Sequence, residues 1–133
     1  MRNPVEMLEE LISILEDLRE RPDNTVILVE GQKDKNALIE LGIEGEVWQI
    51  KGGNSIFHIA EELAHNRKSA IILTDWDKKG GQLCRALRIA LTANGVPFDD
   101  SIRMRLVQIA KKEVKDIEGL PMFYLKLMAE TRR

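Results

Sequence analysis

Two apolar runs in this chain end in carboxylates. TVILV at 25–29 is followed by Glu30, and SAIILT at 69–74 is followed by Asp75 and Asp77. Carboxylates gathered in one place repel one another and call for a cation. The hard ions Mg²⁺ and Mn²⁺ prefer oxygen ligands, and Mg²⁺ keeps several of its waters. Such an ion polarises a phosphate and stabilises attacking or leaving oxygens. Asp75 and Asp77 are two apart, so in extended chain their side chains point to the same face. Gly80 and Gly81 permit a turn and a close helix start just beyond them. The plainer alternative is a pair of solvated loop acids complementing the start of the next helix.

The flanking elements decide whether these acids meet. NPVEMLEELISILEDLRE carries Val5, Leu8, Leu11, Ile12, Leu15 and Leu18 at helical spacing, with Asn3 as cap and Pro4 in the first turn. TVILVE, EVWQI and SAIILT read as strands, the first and last apolar enough to be covered on both faces. GQKDKNALIELGI, the segment after KGGNS, and QLCRALRIALTANG read as the intervening helices, the first ending near Gly42 and the last at Gly95. SIRMRLVQIA carries Ile102, Leu106 and Ile109 at helical spacing and reads as a helix, with a strand as the alternative; EVKDIEGLP reads as a loop or short turn, and MFYLKLMAETRR as a terminal helix. Strand and helix alternating with short connections predict an α/β fold, an open and mostly parallel sheet flanked by helices. Ligands in such sheets bind outside the carboxyl ends of the strands, the edge on which Glu30, Asp75 and Asp77 fall.

The 133 residues suit a single domain. One cysteine, Cys84, excludes an internal disulfide and a cysteine zinc cluster, and fits a reducing, cytoplasmic setting. The N-terminus turns acidic at once, unlike a signal peptide, and no apolar run approaches the roughly 20 residues of a membrane span. Residues 1–66 hold 14 acidic and 6 basic residues, and residues 67–133 hold 8 and 14. The second half is therefore a candidate nucleic-acid-facing half, or the two halves are differently solvated faces.

Lys51, Gly52 and Gly53 follow the second strand, where a glycine turn entering a helix can hold a phosphate on free N–H groups. Lys78 and Lys79 beside the aspartates either meet phosphates or offset local charge. Arg85 and Arg88 share a helix face and, with Arg103, Arg105, Lys111 and Lys112, form a candidate basic track for a nucleic-acid backbone. Trp76 either stacks on a base or packs over the sheet edge. His58 and His65, seven apart, read as surface histidines. Glu113, Asp116 and Glu118 form a second acidic group, a candidate for a further metal. The first helix also offers a leucine-rich face to a protein partner.

VEGQKD together with ILTDWDKKG resembles the two signatures of the Toprim domain: glutamate–glycine after the first strand, and Asp-x-Asp after a later one with glycine close behind. The resemblance covers about residues 24–110, leaving the helix at 4–20 and a helical tail at 111–133. The whole chain is similar to the small stand-alone Toprim proteins of archaea. The resemblance implies Mg²⁺ (or Mn²⁺) held by Asp75 and Asp77, with Glu30 as general acid or base and an additional ligand. It further implies turn glycines at Gly31 and Gly80, and an accessory role for Asp34, which alternatively serves as a first-turn helix acid. The expected function is Mg²⁺-dependent phosphoryl transfer on nucleic acid, of nuclease or nucleotidyl-transfer type. The alternative is a non-catalytic metal-binding adaptor in a larger complex. Tyr124, the sole tyrosine, lies among apolar neighbours and reads as a core residue rather than a topoisomerase nucleophile.

Overall fold

The computed structural model describes residues 3–50 and 55–132. The expected turn at Lys51, Gly52 and Gly53 lies outside the described residues. The order is α1 (Pro4–Arg19), β1 (Thr25–Val29), α2 (Gln32–Glu40), β2 (Val47–Gln49), α3 (Ser55–His65), β3 (Ser69–Ile72), α4 (Lys78–Ala93), β4 (Phe98–Asp99), α5 (Ser101–Ala110), a 3₁₀ turn (Ile117–Gly119) and α6 (Leu120–Thr131). Asn3 and Pro4 start α1 as expected, the Asn3 side chain accepting the Glu6 N–H at 2.9 Å. No helix among the described residues is long and apolar enough to cross a membrane.

Four strands form one parallel sheet in the order β2-β1-β3-β4. Helices cover both faces, which explains the unbroken apolar strands. Alternate residues divide between two cores. Ile27, Val29, Ile71 and Leu73 face α1, α2, α5 and α6, while Val26, Leu28, Ala70 and Ile72 face α3 and α4. The second strand of the sequence lies on one side of β1 and the third on the other. The strand order therefore reverses between β1 and β3, the place where open sheets of this kind leave a crevice at their carboxyl ends.

Three expectations change. Phe98–Asp99 pairs with β3 as a fourth strand, too short to show a two-residue period. The leucine face of α1 is not free for a partner: Leu11, Ile14, Leu15 and Leu18 are buried against the core shared with α5 and α6. Arg105 is not part of a basic track, since its guanidinium joins α5 to α1 through Asp17 at 2.6 Å and Glu10 at 2.7 Å. At the opposite, amino edge of the sheet, a cleft of about 520 Å³ is lined by Arg21 and Arg105 among others. Both are already engaged, Arg21 with the carbonyls of Leu18, Thr25 and Glu46.

Helix α3 ends in a left-handed residue that is not glycine. Arg67 has φ 55°, and the turn is closed by Lys68 N–H donating to the Leu63 carbonyl at 2.9 Å. A side chain in that region costs about 1 kcal/mol, more than the extra unfolded-state freedom of glycine. Arg67→Gly is expected to raise stability by about 0.5 kcal/mol in urea unfolding. A loss of similar size would show that this turn is held some other way.

Candidate acidic site at the carboxyl edge

Glu30 follows β1 and Asp75 follows β3, and these strands are neighbours. The two acids are in contact: the Asp75 N–H donates to Glu30 Oε2 at 2.8 Å. Asp34, in the first turn of α2, is 7 % exposed. Its carboxylate accepts the Gly31 N–H and the Glu118 N–H, each at 3.1 Å. It therefore caps its own helix and anchors the chain 84 residues away. The plain helix-start reading of Asp34 is true as far as it goes, but a solvated first-turn acid would not be buried.

The loop from Thr74 to Gly80 fixes Asp75. Thr74 is fully buried and its hydroxyl donates to the Gly80 carbonyl at 2.8 Å. Asp77 accepts the Gly80 N–H at 2.7 Å and so caps α4. A methyl group on Gly80 would lie 1.8 Å from the Asp75 carbonyl oxygen, so only glycine fits. Arg103 reaches over from α5, donating to the Thr74 carbonyl at 2.9 Å and to the Asp75 carbonyl at 2.7 Å. This corrects its expected place in a basic track.

Gly31 does not have the role expected of a turn glycine. Its φ of −151° is extended backbone open to any residue, and a Cβ there meets nothing within 4 Å. Asp77 is exposed, and its carboxylate is directed to the helix cap. Trp76 takes the packing role: its indole N–H donates to the Val114 carbonyl at 2.6 Å and its backbone N–H to that of Lys115 at 2.8 Å. Tyr124 packs against the core, as expected. His58 pairs with Glu62 at 2.9 Å on the exposed face of α3.

The tail closes the site. The segment before α6 lies against it through the Trp76 and Asp34 bonds above, bringing Asp116 within electrostatic reach of Asp75 and Asp34. Of the second acidic group only Asp116 belongs here. Glu113 pairs with Lys126 at 2.8 Å, and Glu118 contributes its backbone N–H. The sequence also gave no sign of Thr74 or Arg103 as site residues, because each acts through a backbone contact with a distant segment.

The electrostatics follow from this crowding. Burial pushes the Asp75 carboxyl up to about 7, and the charges of Asp34, Glu30 and Asp116 push the same way, against the Ile117 N–H. Burial likewise raises Asp34, against the two backbone N–H groups that it accepts. Asp75 Oδ1 is buried with no hydrogen-bond partner. Among the described residues, no three acidic, histidine or cysteine side chains form a complete metal cage as they stand. An all-oxygen group with an unpartnered buried carboxylate oxygen nevertheless fits Mg²⁺, which is held by one or two carboxylates and otherwise by water.

No family model matches the chain. It is 35 % identical over 130 residues to the UPF0292 protein of Methanosarcina barkeri, covering 98 % of this chain and 89 % of that one. The UPF0292 protein of Thermococcus sibiricus is 39 % identical over 121 residues, with coverages of 90 % and 89 %. That of Methanocaldococcus jannaschii is 33 % identical over 116 residues, with 86 % and 90 %. A solved structure of a protein from Aquifex aeolicus superposes with a TM-score of 0.62 at 26 % identity, covering 90 % of this chain and 99 % of that one.

Two predictions follow from the geometry. Asp75 holds a proton in the folded chain at pH values where the unfolded chain, near the ordinary 3.8, has released it. Folding therefore takes up a proton between about pH 4 and pH 7, and stability falls as pH rises through that window. In chelator, urea midpoints should decline from about pH 5 to about pH 7, and Asp75→Asn should flatten the decline. An unchanged slope would contradict this burial. Separately, Gly80→Ala should cost about 3 kcal/mol or more, while Gly31→Ala should cost about 1 kcal/mol or less. Equal costs would show that the loop does not sit against Gly80.

Proposed function

The chain belongs to the UPF0292 family, and we propose that it is a Mg²⁺-dependent phosphoryl-transfer module acting on nucleic acid. The observation that carries this reading is the buried, unpartnered Asp75 Oδ1 beside Glu30, Asp34 and Asp116 at the β1–β3 switch point. A carboxylate so placed is unfavourable alone and favourable with a cation. Its setting agrees with the Toprim resemblance of VEGQKD and ILTDWDKKG, and the three-layer fold agrees with it as well.

Asp75 would hold the ion, with Glu30 and Asp116 adding charge around it. Asp77 adds charge at the same strand end, since its cap uses Oδ1 and the residue is exposed. When bound, Mg²⁺ supplies polarisation of a phosphate oxygen and stabilises the oxygens that attack or leave. Glu30 holds the Asp75 N–H on Oε2 and keeps Oε1 for moving a proton. Lys78 and Lys79, exposed in the first turn of α4, offer charge to a phosphate that enters beside Asp77. Arg103 keeps the Asp75 backbone in place without touching substrate.

The test is incubation of labelled RNA and DNA strands with Mg²⁺ or Mn²⁺. The parent should cleave or join one of them, and Asp75→Asn and Glu30→Gln should each slow it by about 100-fold or more. Equal rates in these variants would remove the site. Metal-dependent binding of the strand without turnover would assign the adaptor role instead.

A further inference from the structure

The basic charge of α4 extends beyond Lys78 and Lys79, which adjoin the acidic site. This helix holds Lys78, Lys79, Arg85 and Arg88 and no acidic residue. Helix α5 also lacks acids, but Arg103 and Arg105 are both bound within the fold. Lys78, Gln82, Arg85 and Ile89 recur at spacings of four, three and four, so they share one face of α4.

That face is grooved. Lys78, Arg85 and Ile89 stand around Gly81 and Ala86, whose small size leaves a shallow channel. A second depression continues from Arg85 and Ile89 to Phe98 on the edge strand. Lys78 and Arg85 have no hydrogen bond or ion pair among the described residues. The acids that adjoin the face are already occupied, Asp77 in the helix cap and Asp100 with Arg88 at 3.5 Å. Ile89 is 59 % exposed, one turn beyond Arg85. Lys78 and Arg85 lie two turns apart, about 10 Å along the axis, and the helix begins directly after Asp77.

We propose that this face of α4 is a binding track for single-stranded polynucleotide, with phosphates on Lys78 and Arg85, apolar contact from Ile89 and Phe98, and one end at the acidic site. The inference rests on the reading of that site as a phosphodiester site. Unpaired cations complement the backbone, and the exposed Ile89 with the half-buried Phe98 beyond them suits bases that are not hidden in a duplex.

Fluorescence anisotropy with labelled oligothymidylate, oligouridylate and a duplex, in chelator at low salt, tests the track without turnover. The parent should bind both single strands more tightly than the duplex. Lys78→Glu and Arg85→Glu should each weaken binding about tenfold and reduce the log–log salt slope by about 0.7. Lys78→Gln and Arg85→Gln should give a milder loss in the same direction. Lys126→Ala, on a different helix, should leave affinity unchanged. Tighter binding of one single strand identifies the track as selective for RNA or for DNA. Parent-like binding by the charge variants, absence of binding by the parent, or preference for the duplex overturns the track. Asp75→Asn should bind as the parent does while losing turnover, so a failed track and a failed acidic site give different results.

Discussion

Two carboxylates held largely out of water beside two others set the terms for the whole carboxyl edge. Asp34 and Asp75 repel each other, and both feel Glu30 and Asp116. What offsets the repulsion is mostly backbone. Asp34 takes N–H groups from Gly31 and Glu118, and Glu30 takes that of Asp75. The bonds to Glu118 and Asp75 join distant stretches of chain, so the acids also hold together the ends of β1, β3 and the tail. Among the described residues, Asp75 Oδ1 is the one buried side-chain polar atom left without a partner. A buried carboxylate oxygen left bare among other acids is a place where a cation would relieve the charge.

Precision at that atom depends on the loop behind it. Gly80 lets the start of α4 touch the Asp75 backbone, Thr74 ties the loop closed, and Arg103 grips two successive carbonyls. Trp76 then fastens the loop to the tail through Val114 and Lys115. The site is thus built on short strands and fixed on three sides, which limits the motion of Asp75 relative to Glu30. Lys78 and Lys79 are exposed in the first turn of the helix that follows this loop.

Much of this was legible in the sequence, and the gaps have physical reasons. Unbroken apolar runs such as TVILV and SAIIL are a local signal, so strands buried on both faces could be read directly. The capped start of α1 and the helical spacing of Ile102, Leu106 and Ile109 were equally local. Glu30 and Asp75 could be placed on one edge because parallel strands end on the same side. Which further acids join them could not be read this way. Asp116 reaches the site only because the tail folds back over Trp76, and no local spacing encodes that. Arg103 and Arg105 look alike on α5, yet one holds the site loop and the other holds α1. Charge alone does not distinguish an arginine that will be consumed by the fold from one left for a ligand. Gly31 and Gly80 show the same limit, since one is required by close contact and the other is not.

The central claim is that a divalent ion is held at Asp75. The most direct measurement is a titration of isotope-labelled protein with Mn²⁺, following paramagnetic broadening of backbone amide signals. The account predicts that the amides of Gly31, Asp75, Ile117 and Glu118 broaden first, and that Asp75→Asn abolishes the effect while leaving the rest of the spectrum in place. Broadening that starts elsewhere, such as along the acidic outer face of α1, or that persists unchanged in Asp75→Asn, would contradict it.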